Sequence, residues 1–388
     1  MKSVEQLGKL IGKTVLLRVD FNVPLKGKKV LDNYKIKKSL GTIKFLVERG
    51  AKVIIVSHLG RPSGVDKKLS LKPVALELGK FLQKNVPLLD VSNLDKTKIQ
   101  IEKLLPATVI MLENIRFVKG EEDNSDKFAK ELAGLAELFV LDGFAVAHRQ
   151  SASVSGVAKF LPSYAGLLLE EEIQGLDRVI KKPKKPLVLV LGGIKMETKI
   201  NVLKNFLKIA DYILIGGGIF NTYLWAKGYK VGSSLVDKKF KKEILEYCAK
   251  KKIILPVDVI VGPANGKKAK AVGVKDIKLK PGVSIYDLGP QTIKLFSKYI
   301  KKAQTLVWNG AMGNFEQHPY EYATYSVAHL IASQSKRKAF GVVGGGETIE
   351  IFKKLNLLSD IDLPSTGGGS MLEYLSGKKL PGIEALKN

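Results

Sequence analysis

Short apolar runs alternate along this chain with longer segments of helical spacing. Residues 14–19, 52–56, 108–112 and 138–141 are apolar runs, and each leads into a loop of polar or basic residues. Between them, stretches such as 36–49 and 71–82 carry apolar residues three and four positions apart, the spacing of an amphipathic helix. Strand alternating with helix predicts a parallel sheet covered by helices. In such a sheet the loops after the strands' carboxyl ends gather on one edge, where ligands bind. Residues 163–182 read as one amphipathic helix ending in the proline-broken KKPKKP, and the composition shift there predicts a domain connection. Beyond it the alternation resumes, with a strand at 187–191 buried on both faces and another at 305–308. At 388 residues the chain should form two domains or one large α/β unit.

Composition narrows the class. Hydrophobic residues make up 45 % of the chain, yet no run reaches the roughly 18 apolar residues of a membrane span. The opening MKSVEQLGKL has no apolar signal core, so no export is expected. Cys248 is the only cysteine, which leaves no internal disulfide and no cysteine metal cluster. A cytoplasmic enzyme is the expectation. The net charge of +27 comes almost entirely from scattered lysines, with only seven arginines. Such a field attracts anions, nucleic acid included. No basic stretch is interleaved with stacking aromatics, so no specific nucleic-acid partner is expected.

Because arginine is scarce, its placement carries information. Arg61, Arg116 and Arg149 follow three of the apolar runs, on the predicted edge with Asp20, Asn22 and His58. Arginine is suited to bidentate contact with phosphate and carboxylate, so this edge points to an acidic small molecule. The second half carries four glycine-rich turns: 192–193, 216–218, 344–346 and 367–369. Glycine at a strand-to-helix turn lets backbone N–H groups approach a phosphate closely. Lys195 and Lys199 follow the first turn, four apart and so on one helix face. None of the turns fits the dinucleotide G-x-G-x-x-G pattern or the G-x-x-x-x-G-K-[ST] loop. Glu347 is placed for a magnesium contact or for the N-terminus of a helix, and Glu316 for a ribose hydroxyl or for solvent. No nucleophile triad suggests itself, and the four histidines are too scattered for a metal site. A kinase acting across a cleft is the inference.

RVDFNVP (18–24), SHLGRP (57–62), LENIRF (112–117), AHR (147–149), GGIK with Lys199 (192–199), WNGAMGNFE (308–316), GGGET (344–348) and STGGGS (365–370) occur in this order. With these motifs the chain resembles the phosphoglycerate kinase family over nearly its whole length. The resemblance implies an α/β fold of two Rossmann-like lobes, each a parallel sheet flanked by helices, joined by a hinge helix. It implies a substrate lobe at 1–165, a hinge at 166–182, a nucleotide lobe at 183–373, and a tail, 374–388, returning to the first lobe. The implied reaction is direct in-line transfer between 1,3-bisphosphoglycerate and ADP across a closing cleft. Its products are 3-phosphoglycerate and ATP, with Mg²⁺ as cofactor and a monomer as the working form.

By the same resemblance, Asp20, Phe21, Asn22, Lys35, His58, Leu59, Gly60, Arg61, Arg116 and Arg149 bind the glycerate. Lys195, Lys199, Gly217, Asn309, Glu316, Gly345, Gly346, Glu347 and Thr348 meet the nucleotide, with Glu347 on the metal. Lys35, Lys195, Gly346 and Gly369 serve the transferring phosphoryl group. Lys35 stands where the family has an arginine, and Glu347 where it has an aspartate. Ile194, Ser151 and Ala311 replace an alanine, a histidine and a proline. These departures mark a divergent member and bear on its rate more than on its reaction. The competing readings are a homologue that binds nucleotide or acidic partners with little catalysis, and a basic nucleic-acid binder.

Overall fold

A computed structural model of the chain describes residues 1–387. It divides into two compact units, Met1–Ile173 together with Lys379–Asn388, and Gln174–Lys378.

The first unit is built on six strands: β1 (Thr14–Arg18), β2 (Lys52–Val56), β3 (Leu88–Leu89), β4 (Val109–Leu112), β5 (Leu138–Leu141) and β6 (Ser163–Ala165). They form one parallel sheet in the order β3-β4-β2-β1-β5-β6. The central strands are buried on both faces, which is why their sequences are continuous apolar runs and not alternating ones. Helices α1 (Tyr34–Glu48), α2 (Lys72–Leu82), α3 (Leu94–Glu102) and α4 (Asp126–Ala133) connect them. Asn93 and Ser125 cap α3 and α4 by accepting from Lys96 and Phe128 N–H groups, and Pro73 opens α2, where its missing N–H costs nothing. Ile36, Ile43 and Leu46 of α1 pack with Val74 and Leu78 of α2 against Val53 and Ile55.

Residues 163–182 are not one helix. The first three form the edge strand β6, and α5 (Leu167–Ile180) follows after Gly166. Gly166 permits the turn because a Cβ there would collide with the Asp142 carboxylate. That carboxylate and Thr42 accept from the first N–H groups of α5, so the helix start is fixed by groups distant in sequence. The unit boundary falls inside α5, between Ile173 and Gln174.

The second unit contains β7 (Leu187–Leu191), β8 (Tyr212–Ile215), β9 (Ile253–Ile254), β10 (Asp258–Gly262), β11 (Lys270–Gly273), β12 (Ser284–Leu288), β13 (Thr305–Asn309), β14 (Phe340–Gly344) and β15 (Leu363–Pro364). Six form a parallel sheet in the order β9-β8-β7-β13-β14-β15, and β11-β10-β12 form a separate antiparallel sheet. The helices are α6 (Met196–Ile209), α7 (Gly217–Ala226), α8 (Lys241–Cys248), α9 (Pro290–Ile300), α10 (Tyr322–Arg337), α11 (Gly346–Lys354) and α12 (Gly369–Leu375). Strand order reverses between β7 and β13, and that switch point is where open sheets of this kind bind ligands. Helix α12 stays with the second unit, its last carbonyl receiving a hydrogen bond from Asn205 of α6 at 2.7 Å. The segment grouped with the first unit therefore begins at Lys379. Its short helix α13 (Pro381–Ala385) is seated by a bond from the Gly382 N–H to the Ala147 carbonyl at 2.8 Å.

Candidate active site

In the first unit the loops after β1, β2, β4 and β5 meet at one edge of the sheet. Oδ1 of Asn22 accepts from the Gly60 N–H at 3.0 Å, and Ser57 Oγ accepts from the Phe21 N–H at 2.8 Å. Asn114, fully buried, accepts from the Leu59 N–H and donates to the carbonyls of Leu59 and Leu69. These bonds hold the loops in one arrangement. They also correct two expected contacts. Phe21 and Leu59 have buried side chains and N–H groups already taken, so they form the scaffold and not the binding surface.

The cations converge at this edge. Arg116 and Arg149 both act electrostatically on His58, and Arg116 feels Arg149 and Arg61 in turn. Arg116 is held by the Gly60 carbonyl and by Glu122 at 3.1 Å. Burial, with the neighbouring Arg149, lowers its guanidinium from the ordinary value. A cavity of ≈ 270 Å³ opens among Arg18, Arg116, Arg149, His148, Glu121 and Glu122. Lys35 Nζ pairs with Asp20 at 2.5 Å. Burial alone would raise the Asp20 carboxyl, but the charge and hydrogen bond of Lys35, with the Asn22 N–H, outweigh it and bring it down to about 2. Burial lowers His58 well below its ordinary range, against the pull of Asp20. Arg61 and Asn22 remain exposed at the rim.

In the second unit a pocket of ≈ 350 Å³ lies at the switch point, lined by Gly193, Ile194, Gly217, Tyr286, Phe315, Glu316 and Glu347 among others. Ile194 and Leu235 line it with exposed apolar side chains, which suits the faces of a planar base. The three turns beneath it are stacked on one another. The Gly193 N–H donates to the Ala311 carbonyl at 2.7 Å and the Gly217 N–H to that of Met312 at 3.0 Å. Gly217 has φ +58°, and a Cβ there would stand 2.7 Å from the backbone nitrogen of Gly193. Only glycine fits.

The two elbow lysines do not share a helix face. Lys195 is the N-cap of α6, extended and exposed, whereas Lys199 is buried within the helix. Lys199 Nζ bonds to the Gly192 carbonyl and occupies the space a side chain would need at Gly193 or Gly310. Burial lowers its ammonium to about 8, Glu347 opposing and Lys195 reinforcing the shift. Asn309 and Thr348 are also buried. Asn309 donates to the Gly344 carbonyl at 2.7 Å, and Thr348 accepts from the Gly310 N–H at 2.9 Å. They clamp two turns together and do not line the pocket. Gly345, with φ +97°, packs against the Asn309 amide, and Gly346 begins α11 with its N–H end exposed. Gly369 opens α12 in the same way.

Glu347 lies in the first turn of α11 at the pocket wall. Among the described residues no group of three or more His, Cys, Asp or Glu could hold a metal alone. One carboxylate at this pocket fits Mg²⁺, which takes one or two carboxylates and completes its shell with phosphate oxygens and water.

Arg18, Asn114, Glu121, Ser153 and Asp287 contribute to these sites without having been expected. An arginine ending a strand buried on both faces was the one available signal, since a buried charge must be partnered.

A parallel-sheet unit with an arginine edge and a second with a glycine-walled switch-point pocket define a two-domain α/β phosphotransferase. The sequence matches the family model described as phosphoglycerate kinase over residues 4–378. It is 43 % identical over 383 residues to the phosphoglycerate kinase of Pelotomaculum thermopropionicum, spanning 97 % of this chain and 96 % of that one. The solved structure of phosphoglycerate kinase from Coxiella burnetii is similar at a TM-score of 0.87 and 39 % identity, over 99 % of this chain and 98 % of that one. The enzyme from Pyrococcus horikoshii OT3 gives 0.89 at 32 % identity, over 100 % and 98 % of the two chains. The chain belongs to the phosphoglycerate kinase family.

Proposed function

We propose that this chain is an ATP-dependent phosphotransferase catalysing reversible transfer from 1,3-bisphosphoglycerate to ADP, giving 3-phosphoglycerate and ATP. The observation that carries the reading is the convergence of Arg61, Arg116 and Arg149 with His58 at one sheet edge. Such an edge neutralises a ligand bearing both a phosphate and a carboxylate. The glycine-walled pocket with Lys199 beneath it and Glu347 at its wall supplies the nucleotide side.

Phosphoryl transfer needs positioning and charge neutralisation more than a protein nucleophile. Lys35 and Asp20 order the loop after β1, the arginines bind the glycerate, and Lys199 meets nucleotide phosphate. The exposed Lys195 follows the moving phosphoryl group, and the N–H groups at Gly346 and Gly369 face developing negative charge. Mg²⁺ bound by Glu347 and the nucleotide would neutralise phosphate charge. The reacting atoms must come to about 3–3.5 Å, and we assign the required movement to residues 166–182. The working form is a cytoplasmic monomer. A homologue that binds without turnover is not favoured, since relatives named for this activity match nearly the whole chain.

A magnesium-dependent coupled assay with 3-phosphoglycerate and ATP tests the proposal. Turnover that requires both substrates and the metal is expected. Nucleotide binding without turnover would overturn it.

A further inference from the structure

Arg18 ends β1 at 2 % exposure, and its donors are engaged on three sides. Nε donates to Ser153 Oγ at 2.8 Å, one Nη to the Val19 carbonyl, and Nη2 stands 3.3 Å from Nδ1 of His58. Ser153 belongs to a single π-helical turn, Ala152–Gly156. Its hydroxyl donates to one carboxylate oxygen of Glu121 at 2.7 Å, and its N–H to the other at 2.9 Å. Glu121 and Ser153 are both buried. A carboxylate, a hydroxyl, a guanidinium and an imidazole therefore form one buried chain, with the charge of Glu121 set against that of Arg18.

A guanidinium has donors and no acceptor. Nδ1 of His58 must then accept, which leaves the ring proton on Nε2. The competing arrangement would protonate Nδ1 and use Asp20 as acceptor. Oδ1 of Asp20 is 3.9 Å away, too far for a hydrogen bond. The other oxygen of Asp20 is taken by Lys35 at 2.5 Å. The charged groups facing the ring are Arg18 on β1, Asp20 after β1, Arg116 after β4 and Arg149 after β5. Three cations against one anion leave no place for an imidazolium.

We propose that Arg18, anchored through Ser153 to Glu121, is a positioning residue that fixes His58 as the neutral tautomer with its proton on Nε2. His58 thereby offers the glycerate ligand a directed hydrogen bond and no further positive charge. The second statement rests on the substrate reading above, and the first does not.

Long-range ¹H–¹⁵N NMR of the ligand-free, full-length enzyme reads the tautomer directly. The expected result is a pyridine-like Nδ1 and a pyrrole-like Nε2, unchanged across the interval of about pH 5 to 8 in which histidines ordinarily titrate. Protonated Nδ1, or an imidazolium forming near the ordinary value, would overturn the proposal with no variant needed. Ser153→Ala removes the anchor and keeps Arg18. It should mix the tautomers and raise KM for 3-phosphoglycerate roughly five- to tenfold, the loss of one ordinary hydrogen bond, with kcat little changed. A Ser153→Ala spectrum and KM identical to wild type would overturn the anchoring role. If the tautomer stands but His58 resonances ignore saturating 3-phosphoglycerate, its role as a glycerate donor is overturned, and the failure lies in the substrate reading.

Discussion

Lys35 Nζ lies 2.5 Å from Oδ2 of Asp20, a carboxylate that is otherwise almost wholly buried. The ammonium is therefore committed to a neighbour as well as to any ligand. An arginine here could keep Asp20 with one arm of its fork and present the other to phosphoryl oxygens. Lys35→Arg is expected to raise kcat on the order of tenfold, the value of one charge-assisted hydrogen bond, with both KM values nearly unchanged. Steady-state kinetics checks it, and a slower variant would show that the pocket has adapted to an ammonium.

The same pair predicts a pH response. The folded Asp20 carboxyl titrates at about 2, below its ordinary 3.8. Its stabilisation is therefore present above about pH 4 and lost as pH falls through about 2, on the order of 2 kcal/mol. Lys35→Met should remove most of that at pH 7 and flatten the acid limb of stability measured by denaturant unfolding. An unaltered acid limb would show that the backbone N–H of Asn22 holds Asp20 without Lys35.

Arg149 is half-buried and acts on both Arg116 and His58. Arg149→Ala should raise KM for 3-phosphoglycerate by about 1.5–3 kcal/mol, or roughly ten- to a hundredfold, and leave KM for ATP nearly unchanged. Equal effects on both substrates would mean that ligands have been assigned to the wrong units.

Burial lowers Lys199 to about 8, so the free enzyme loses that charge just above neutrality. Its folded value lies below its unfolded one, so folding gains stability as pH rises from about 8 toward 10.5. Nucleotide phosphates favour the charged form and should draw a proton back. ADP binding is expected to take up a proton near pH 8.5 and to weaken above it. Calorimetry in buffers of different ionisation heat reads this, and Lys199→Met should bind weakly at every pH without proton uptake.

Asp287 is buried in β12, with Oδ2 accepting from the Ala323 N–H at 2.9 Å and Oδ1 without a partner among the described residues. Burial raises it to about 8, and nearby Glu321 adds to the shift. An acid raised in this way favours the folded state below its unfolded value near 3.9 and loses that contribution as pH climbs through about 8. Asp287→Asn keeps the acceptor and removes the charge. Its Tm advantage over wild type should grow between about pH 5 and 8, and a constant difference would show that Asp287 is ionised throughout.

The sheets were legible because strands buried on both faces leave unbroken apolar runs, as at 52–56 and 187–191. The antiparallel β11-β10-β12 sheet was not, because β10 ends at Gly262-Pro263 and a lysine-rich stretch leads into β11, which together read as loop. Arg61, Arg116, Arg149 and His58 could be found because strand ends of a parallel sheet share an edge. Glu121 could not, since in the exposed-looking run 121–123 nothing distinguishes the one carboxylate that folds inward. Ser153 was invisible for the same reason, its role arising from a turn formed by contacts with Glu121. Lys195 and Lys199 read as sharing one helix face, and they do not, because the helix starts one residue after Lys195.

The ammonium of Lys199 sits where a methyl group at Gly193 or Gly310 would have to go. Three positions from two strand ends are therefore one heritable unit. At Gly310 the Gly192 carbonyl and a positive φ exclude a side chain whatever the lysine does, and at Gly193 a side chain would have to displace the Lys199 ammonium and bear a positive φ. Stepwise change in this corner meets resistance at every step, whereas the exposed Ile194 and Leu235 at the rim touch less of the protein. Changes in nucleotide preference would then accumulate at the mouth of the pocket, over a floor that evolution must replace whole or leave alone.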